Sequence, residues 1–337
     1  MLATDTAQLD FGQVRFVLFV GCILLAMGGG YLLRRLGLVR AESAKPVMSA
    51  AIIGCDAPIA GLAIWHLAIL EGVWKVPVAG GIVGVAACLL GLALARWRRM
   101  APADAPLFGL QGGMGNVGYT LGGSLCFALW GLQGLALEQM YCLMWPFFAF
   151  LFCFPLARHY GERARGERAA DGLSGPAYAA ATLARSLTDV RSLPLYTASL
   201  GLVLNLRGVA PPPAVERWHV IDLLMGAGIF MQFGGVGMTV RASRLPLYWK
   251  KATGTAAVKF LASPLLMVGA AWALGLTGTP LAVCLLLAAM PSALYSVLMA
   301  NLFGLNRDLA GATFILTHAL CLAAVAGVAG VLYLWPA

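Results

Sequence analysis

Hydrophobic stretches follow one another along almost the whole chain, and short polar segments separate them. Most are about 20 residues long, the length that an α-helix needs to cross a hydrocarbon core about 30 Å thick. The pattern predicts ten membrane spans near 14–33, 47–70, 76–95, 106–130, 135–157, 192–206, 218–240, 254–275, 279–303 and 309–335. We therefore expect an all-α integral membrane protein with ten transmembrane helices.

Two of the predicted spans, the fourth and the ninth, are interrupted by residues that disfavour a continuous helix. The fourth contains the run GGMGNVGYTLGG from Gly112 to Gly123, and the ninth contains Met290, Pro291 and Ser292. Such residues expose backbone polar groups, which a bilayer tolerates only where protein or a water-filled cavity receives them. Two interrupted helices at corresponding places in two halves of a chain are the best sequence indication of a transporter's binding site.

Composition and charge narrow the class of protein. With 61% hydrophobic and 11% charged residues, a chain of 337 residues is too apolar for a soluble domain. The net charge of +9 arises in the loops, so we attribute it to topology and contact with anionic lipids and expect no nucleic-acid partner.

The positions of the cations predict the orientation. With the amino terminus outside, the outer loops hold only Arg15, Lys75, Arg207 and Arg217, and the remaining loop cations are cytoplasmic. Because positive residues in short loops are retained in the cytoplasm, both termini are expected outside, on the periplasmic face of a bacterial inner membrane. The first apolar run merges into a full span without a cleavage site, so no cleavable signal peptide is expected.

The chain also carries signs of an internal repeat. Residues 30–38 read GYLLRRLGL and residues 201–209 read GLVLNLRGV, with a similarly spaced glycine pair at the end of the first and the sixth span. Five spans per half is an odd number, so the second half must cross the membrane in the opposite orientation, as an inverted repeat. The predicted units are 1–157, a cytoplasmic linker at 158–190, and 191–337.

The interrupted spans supply the candidate binding site. Each helix N-terminus carries about half a positive charge, and its bare NH groups suit a small carboxylate where two half-helices meet. The side-chain amide of Asn116 can donate and accept hydrogen bonds, Ser292 can add a hydroxyl, and the glycines allow close approach of backbone or ligand. The residue-based set is Gly115, Asn116, Gly118, Gly122, Gly123, Pro291 and Ser292. The alternative is a glycine-rich helix that merely packs tightly against its neighbours.

Three of the ionisable residues inside the predicted spans are singled out: Asp56, Lys259 and His318. A charged Asp56 near mid-membrane costs about 3 kcal/mol on insertion scales, so it either couples transport to a proton or is a structural acid bonded to a carbonyl freed by Pro58. For Lys259 we favour a structural role, through snorkelling or a carboxylate partner. His318 is interpreted as a satisfied interior residue rather than a ligand.

The eight cysteines fall within predicted spans and form no CxxC pair. Neither a disulfide framework nor a metal site is indicated, and no cofactor is expected.

The ordered set of motifs resembles the auxin efflux carrier family of membrane transporters, whose bacterial members include permeases for small organic acids such as malonate and malate. The resemblance runs over nearly all of the chain. The matching positions are Asn116, Gly118, Tyr119 and Gly122, then Gly131–Leu135, Pro194–Gly201, Gly237, Lys259 with Pro264, Ala289–Ala293, Ala300, and Asn306–Asp308.

The resemblance implies a five-plus-five inverted repeat in which the fourth and ninth helices cross, related in fold to bile acid sodium symporters. It implies that Asn116 contacts the substrate carboxylate, that Pro291 is the crossover proline of the second half, and that Tyr119 joins the substrate-binding set. The chain differs from the family pattern where Gly122, Gly123 and Ser124 replace a proline. The ninth span has no acid or amide at its break, so a sodium site of the bile acid symporter type is not expected.

The expected function is a secondary carrier of small organic anions, with Asp56 as the candidate for proton coupling. Facilitated efflux without ion coupling and a metabolite-binding membrane sensor are the alternatives. Catalysis is not expected, because the spans offer isolated ionisable groups rather than a converging set. A homodimer is compatible with the sequence.

Overall fold

The structure is a computed structural model, and it describes residues 2–67, 72–118, 121–166, 188, 190, 193–239 and 245–334. Within these residues the regular structure is helical, and strand-like pairing is limited to an isolated bridge. The helices are α1 (Leu2–Arg35), α2 (Ala44–Ala51), α3 (Ala57–Trp65), α4 (Lys75–Trp97), α5 (Ala105–Gly113), α6 (Gly122–Cys142), α7 (Trp145–Phe147), α8 (Phe154–Ala164), α9 (Leu193–Leu206), α10 (Ala214–Arg217), α11 (Val220–Thr239), α12 (Leu245–Ala257), α13 (Ser263–Leu274), α14 (Gly278–Ala288), α15 (Leu294–Phe303) and α16 (Arg307–Leu334).

Several helical segments have the length and apolar character needed to cross a membrane. In the part of the chain that the structure describes, 5 segments qualify: Ala41–Trp65, Lys75–Trp97, Val220–Thr239, Leu245–Leu274 and Arg307–Gly327. The prediction of an all-α, multi-pass membrane protein is confirmed at this level. The division into ten spans arranged as five plus five stays a prediction.

Three predicted spans are divided into shorter helices. The fourth is interrupted after α5 and the ninth after α14, at the glycine run and at the proline. The fifth, predicted as one helix over 135–157, is divided as well, since α6 ends at Cys142 and α7 begins at Trp145. Within α6 the backbone departs from helical geometry at Trp130 and at Gly131, whose φ of 58° suits glycine.

Widened π-helical turns precede three prolines. Proline lacks an N–H, and its ring crowds the carbonyl one turn back, so a local widening of the helix relieves the clash without ending the span. The π-helical segments are Ile52–Asp56, Phe148–Cys153 and Val258–Ala262, followed two residues later by Pro58, Pro155 and Pro264. Two of these turns carry the ionisable residues Asp56 and Lys259.

The helices pack as two groups. The scaffold group consists of α1, α2, α3, α9, α10 and α11, in which α1 packs against α11 and α3 against α9. The break group consists of α4–α8 and α12–α16 and contains both interrupted spans. The two groups meet mainly where α6 packs against α1 and α3.

Helices α1 and α9, which correspond to the first and the sixth predicted spans, end in the same way at the positions aligned above. Gly37 and Gly208 both have positive φ, at 75° and 67°. The amide of Leu38 donates to Leu33 O at 3.0 Å, and the amide of Val209 donates to Leu204 O at 3.0 Å. A left-handed glycine followed by such a bond is a common way to end a helix, and both copies of the repeated segment use it.

The two aligned segments also make equivalent contacts with helices distant in sequence. A methyl group on Gly30 would collide with Gly234 O of α11, and one on Gly201 would collide with Gly61 O of α3. The side chain at the next aligned position then caps the partner helix. Arg34 Nη1 donates to Met238 O at 2.9 Å, and Asn205 Nδ2 donates to the carbonyl oxygens of Ile64, Trp65 and Leu67 at 3.0, 2.8 and 2.7 Å. Each aligned segment therefore closes the carbonyl end of a helix that is distant in sequence.

Candidate functional site

The two interruptions lie directly against each other. Asn116 N donates to Pro291 O at 2.6 Å, and Ala293 N donates to Met114 O at 2.9 Å. Gly115 lies opposite Ser292 in the antiparallel bridge that these two bonds enclose. Backbone groups that the helices cannot satisfy are thus paired with each other, which is what a low-dielectric interior requires.

Side chains of neighbouring helices hold the second interruption in place. Ser292 Oγ donates to Gln111 O at 3.0 Å, and Ser292 N donates to Thr317 Oγ1 at 3.2 Å. Gln111 Nε2 in turn donates to Ala310 O at 2.8 Å. Ser292 therefore acts in this structure as a link between α5, the second break and α16.

Asn116 contacts a histidine of the last helix. Its Nδ2 lies 3.1 Å from His318 Nε2, and His318 Nδ1 lies 2.9 Å from Phe314 O. An amide N–H can donate only to a bare ring nitrogen, so the hydrogen-bond pattern assigns a neutral imidazole with its proton on Nδ1. This geometry agrees with the interpretation of His318 as a satisfied interior residue, and it shows which residue satisfies it.

The first amides of the half-helix after the glycine run are already bonded. Gly122 N donates to Asn116 O at 3.2 Å, and Gly123 N donates to Gly118 O at 2.9 Å. The expectation that these NH groups stand bare for an anion is therefore wrong for Gly122 and Gly123 in this conformation. The cause is the tight turn of the break, which folds its own carbonyl oxygens back over the helix start.

The glycines of the first break differ in the neighbours that lie against them. A methyl group on Gly122 would collide with the backbone of Val117, and one on Gly123 would lie 2.9 Å from Glu138 Oε2. Gly118 faces open space at this position. Tyr119, which the family resemblance adds to the substrate-binding set, lies outside the described residues.

A narrow cavity adjoins the first break at Gly113–Gly115 and Val117. Its walls come from α4, the break, the turn between α6 and α7, and the π-helical turn before α13. The lining residues are Gly80, Gly81, Val83, Gly84, Gly113, Met114, Gly115, Val117, Tyr141, Met144, Trp145, Phe148, Lys259, Ser263 and Ala288.

Lys259 is the charged residue of this lining. It is 3% exposed, and a methyl group on Gly115 would lie 2.9 Å from its Nζ. Within the described chain Lys259 has neither a hydrogen bond nor an ion pair. The interpretation of Lys259 as a snorkelling or carboxylate-paired cation is therefore not what the structure shows, because its ammonium points into the interior.

Asp56 lies in the scaffold group and does not line this cavity. Gln232 Nε2 of α11 lies 2.9 Å from Asp56 Oδ1 and 3.0 Å from Oδ2, and Asp56 is 5% exposed. The partner of the carboxylate is thus an amide of another helix and not a carbonyl freed by Pro58. The sequence reasoning missed Gln232, since nothing local marks a pair that is 176 residues apart.

A second buried carboxyl group, Glu138, was also missed. It is fully buried in α6, where Gln139 Nε2 donates to its Oε2 and Cys142 Sγ lies 2.9 Å from its Oε1. The signal was present in the sequence, because an acidic residue inside a predicted span is rare and mostly faces the bundle interior. Its carboxyl group reaches the start of the half-helix at Gly123.

Comparison with known proteins indicates the class of protein to which the chain is similar. Residues 192–328 match the family model described as membrane transport protein. The class indicated by this match, together with the apolar helices, is a multi-pass membrane transporter.

A curated relative points to the particular family. The chain is 30% identical over 119 residues to auxin efflux carrier component 6 of Arabidopsis thaliana, a match that covers 34% of the chain. The chain spans about a fifth of the length of that relative, 21%. The two comparisons confirm the resemblance to the auxin efflux carrier family that the motifs predicted.

Proposed function

We propose that the chain is a secondary carrier that moves small organic anions across a bacterial inner membrane by alternating access. The proposal takes the two halves, 1–157 and 191–337, as an inverted repeat joined by the linker at 158–190, with both termini outside. The observation that carries it is the backbone pairing of the two interruptions, Asn116 N to Pro291 O and Ala293 N to Met114 O. Interrupted helices that meet inside the protein are the arrangement that secondary carriers use to bind a substrate.

The proposal gives separate tasks to the residues of the crossing. Gly115, Gly118, Gly122 and Gly123 keep the break free of side chains. Pro291 and Ser292 shape the second break. Asn116 supplies the amide, which exchanges its bond with His318 for one with the substrate carboxylate. Tyr119 is retained on the resemblance alone.

Asp56 is proposed as the coupling residue. Its carboxyl group is buried against a neutral amide rather than a cation, so gain and loss of a proton change the charge of the scaffold group directly. Facilitated efflux without coupling is the alternative within the same class. Membrane lipids are expected partners, and homodimerisation is left open. A sensor or an enzyme lacks a specific observation in its favour.

The experiment is uptake into proteoliposomes by the purified full chain. Labelled malonate, malate and lactate are offered to the wild-type protein, to Asn116→Ala and to Asn205→Ala. Asn205 is a matched control, because it loses side-chain amide bonds of the scaffold group and does not touch the breaks.

We expect uptake of at least one acid by the wild-type protein, recovery of that acid unchanged, and a loss of at least about tenfold in Asn116→Ala. Asn205→Ala should transport normally per folded molecule. If no acid enters the vesicles, the carrier proposal fails, and a chemically altered acid would indicate an enzyme. Full-rate uptake by Asn116→Ala would remove this residue from the site.

A further inference from the structure

Two polar side chains of one helix face the narrow cavity beside Gly115 without a partner. Lys259 and Ser263 are one turn apart, at the π-helical turn and the start of α13, and both line the cavity. Ser263 is 1% exposed, and its Oγ has no hydrogen-bond partner in the described structure. Lys259 likewise has none there and is 3% exposed.

Burying an ammonium group without a counter-charge is unfavourable, and so is burying a hydroxyl without a hydrogen bond. The ordinary remedies do not apply here. The Nζ of Lys259 does not reach an interface, because it lies against the backbone at Gly115. A carboxylate would also be a remedy, but the lining contains neither aspartate nor glutamate. The two groups are donors, and together they fit an anion.

We propose that Lys259 and Ser263 form a binding site for the carboxylate group of a short monocarboxylate, with its apolar end in the same cavity. Lys259 Nζ donates to one carboxylate oxygen in a charge-assisted bond, and Ser263 Oγ donates to the other. The proposal rests on the proposed carrier function and names the substrate class of its site. The carboxylate that Asn116 contacts at the crossing is the same group, because each carboxylate oxygen can accept more than one hydrogen bond.

The single charge of the lining sets the selectivity. Apart from Lys259, Ser263 and Tyr141, the walls are glycine backbone and apolar side chains. A second carboxylate would lose its water without gaining a cation, which strongly disfavours dicarboxylates. The apolar end of a monocarboxylate instead contacts side chains such as Met144 and Trp145. Gly80, Gly81 and Gly84 of α4 also line the cavity, where they pack against the side chains of Tyr141, Met144 and Phe148.

The test uses two acids of equal carbon number, propionate and malonate, with the purified full-length protein. Binding of labelled acid and thermal unfolding are measured for the wild type, Lys259→Met, Ser263→Ala and Lys250→Met. Methionine has a similar length to lysine and no charge, and Lys250 is an exposed residue of the same span, which makes it a matched control.

We expect the wild type to bind propionate at least about tenfold more tightly than malonate. Lys259→Met should lose at least about tenfold in propionate affinity, Ser263→Ala about 2- to 10-fold, and Lys250→Met nothing. Without ligand, Lys259→Met should unfold at the same temperature as the wild type or higher, because an unpaired buried charge has been removed. A purely structural lysine would give the opposite shift.

Wild-type propionate affinity in Lys259→Met overturns the site, and so does a lowered unfolding temperature of that variant without ligand. Malonate binding as tight as propionate binding overturns the monocarboxylate assignment. Uptake separates these failures from failure of the carrier proposal. If Lys259→Met still transports an acid, the carrier stands and this site falls. If the wild type binds propionate through Lys259 but transports no acid, the site stands and the carrier falls.

Discussion

At the scale of single residues, the buried polar groups differ in whether the protein itself satisfies them. Asp56 has Gln232, and His318 has Asn116 and Phe314 O, whereas Lys259 has no partner in the described chain. The sequence alone could mark Asp56, Lys259 and His318, because ionisable residues inside apolar spans are rare. It could not supply their partners, which come from distant helices, and for Lys259 it therefore favoured a pairing that the structure does not contain.

Because the partner of Asp56 is an amide, Asp56 can be replaced by asparagine, which removes the titratable group and keeps the hydrogen bond with Gln232. In the variant Asp56→Asn, the new side chain can still accept from Gln232 through its remaining oxygen, so the protein should fold with little change in unfolding temperature. If Asp56 carries the coupled proton, uptake in the variant should lose its dependence on an imposed pH gradient. Uptake of a labelled acid with and without the gradient measures this.

Asp222→Asn is the control for that experiment. Asp222 lies in the same helix as Gln232 but pairs with the exposed His219, 3.5 Å away, near the start of α11. It should keep the wild-type response to the gradient. An unchanged response in Asp56→Asn itself would remove Asp56 from the coupling role.

At the scale of helices, the positions of the two breaks were visible in the sequence, because glycine runs and an internal proline act locally on the backbone. The π-helical turns were not predicted, although each is followed by a proline two residues after its end, namely Pro58, Pro155 and Pro264. The division of the fifth span was missed, since apolar residues continue across Leu143 and Met144. Bare helix amides were expected at Gly122 and Gly123, where the turn of the break satisfies them instead.

The close approach of α1 and α11 gives a test at this scale. Gly30→Ala places a methyl group into the carbonyl oxygen of Gly234, and backbone must move to admit it. Overpacking of this kind destabilises by about 1–3 kcal/mol. Thermal unfolding of the purified protein should therefore shift to lower temperature.

Gly28→Ala, two residues away in α1, is its control. Nothing lies within 4 Å of a methyl group at that position. Alanine is the better helix former by about 0.5–1 kcal/mol, so this variant should be at least as stable as the wild type. Equal unfolding temperatures for the two variants would show that Gly30 is not needed for the contact between the halves.

At the scale of the whole molecule, the aligned segments 30–38 and 201–209 are the feature that sequence and structure share most closely. Both end on a left-handed glycine, pack a glycine against a helix distant in sequence, and cap that helix through Arg34 or Asn205. Composition and hydropathy predicted the membrane class, which depends on averages over many residues. The grouping of helices depends on side-chain packing between distant segments, and no local pattern revealed it.

The division into a scaffold group and a break group leads to the last prediction. Alternating access by relative movement of the two groups requires α6 to shift against α1 and α3, where Phe19 stacks on Phe127 with ring centroids 6.1 Å apart. In a background without the native cysteines, Phe19→Cys with Phe127→Cys, joined by a short cleavable thiol cross-linker, should reduce uptake at least about tenfold. Cleaving the linker should restore uptake.

The control pair is Phe154→Cys with Phe303→Cys. The wild-type rings at these positions lie 5.3 Å apart within the break group, so this variant should transport equally well with and without the cross-link. Uptake that survives the first cross-link would mean that the two groups do not move against each other at this contact. Loss of uptake in both pairs would mean that the break group does not move as a rigid unit.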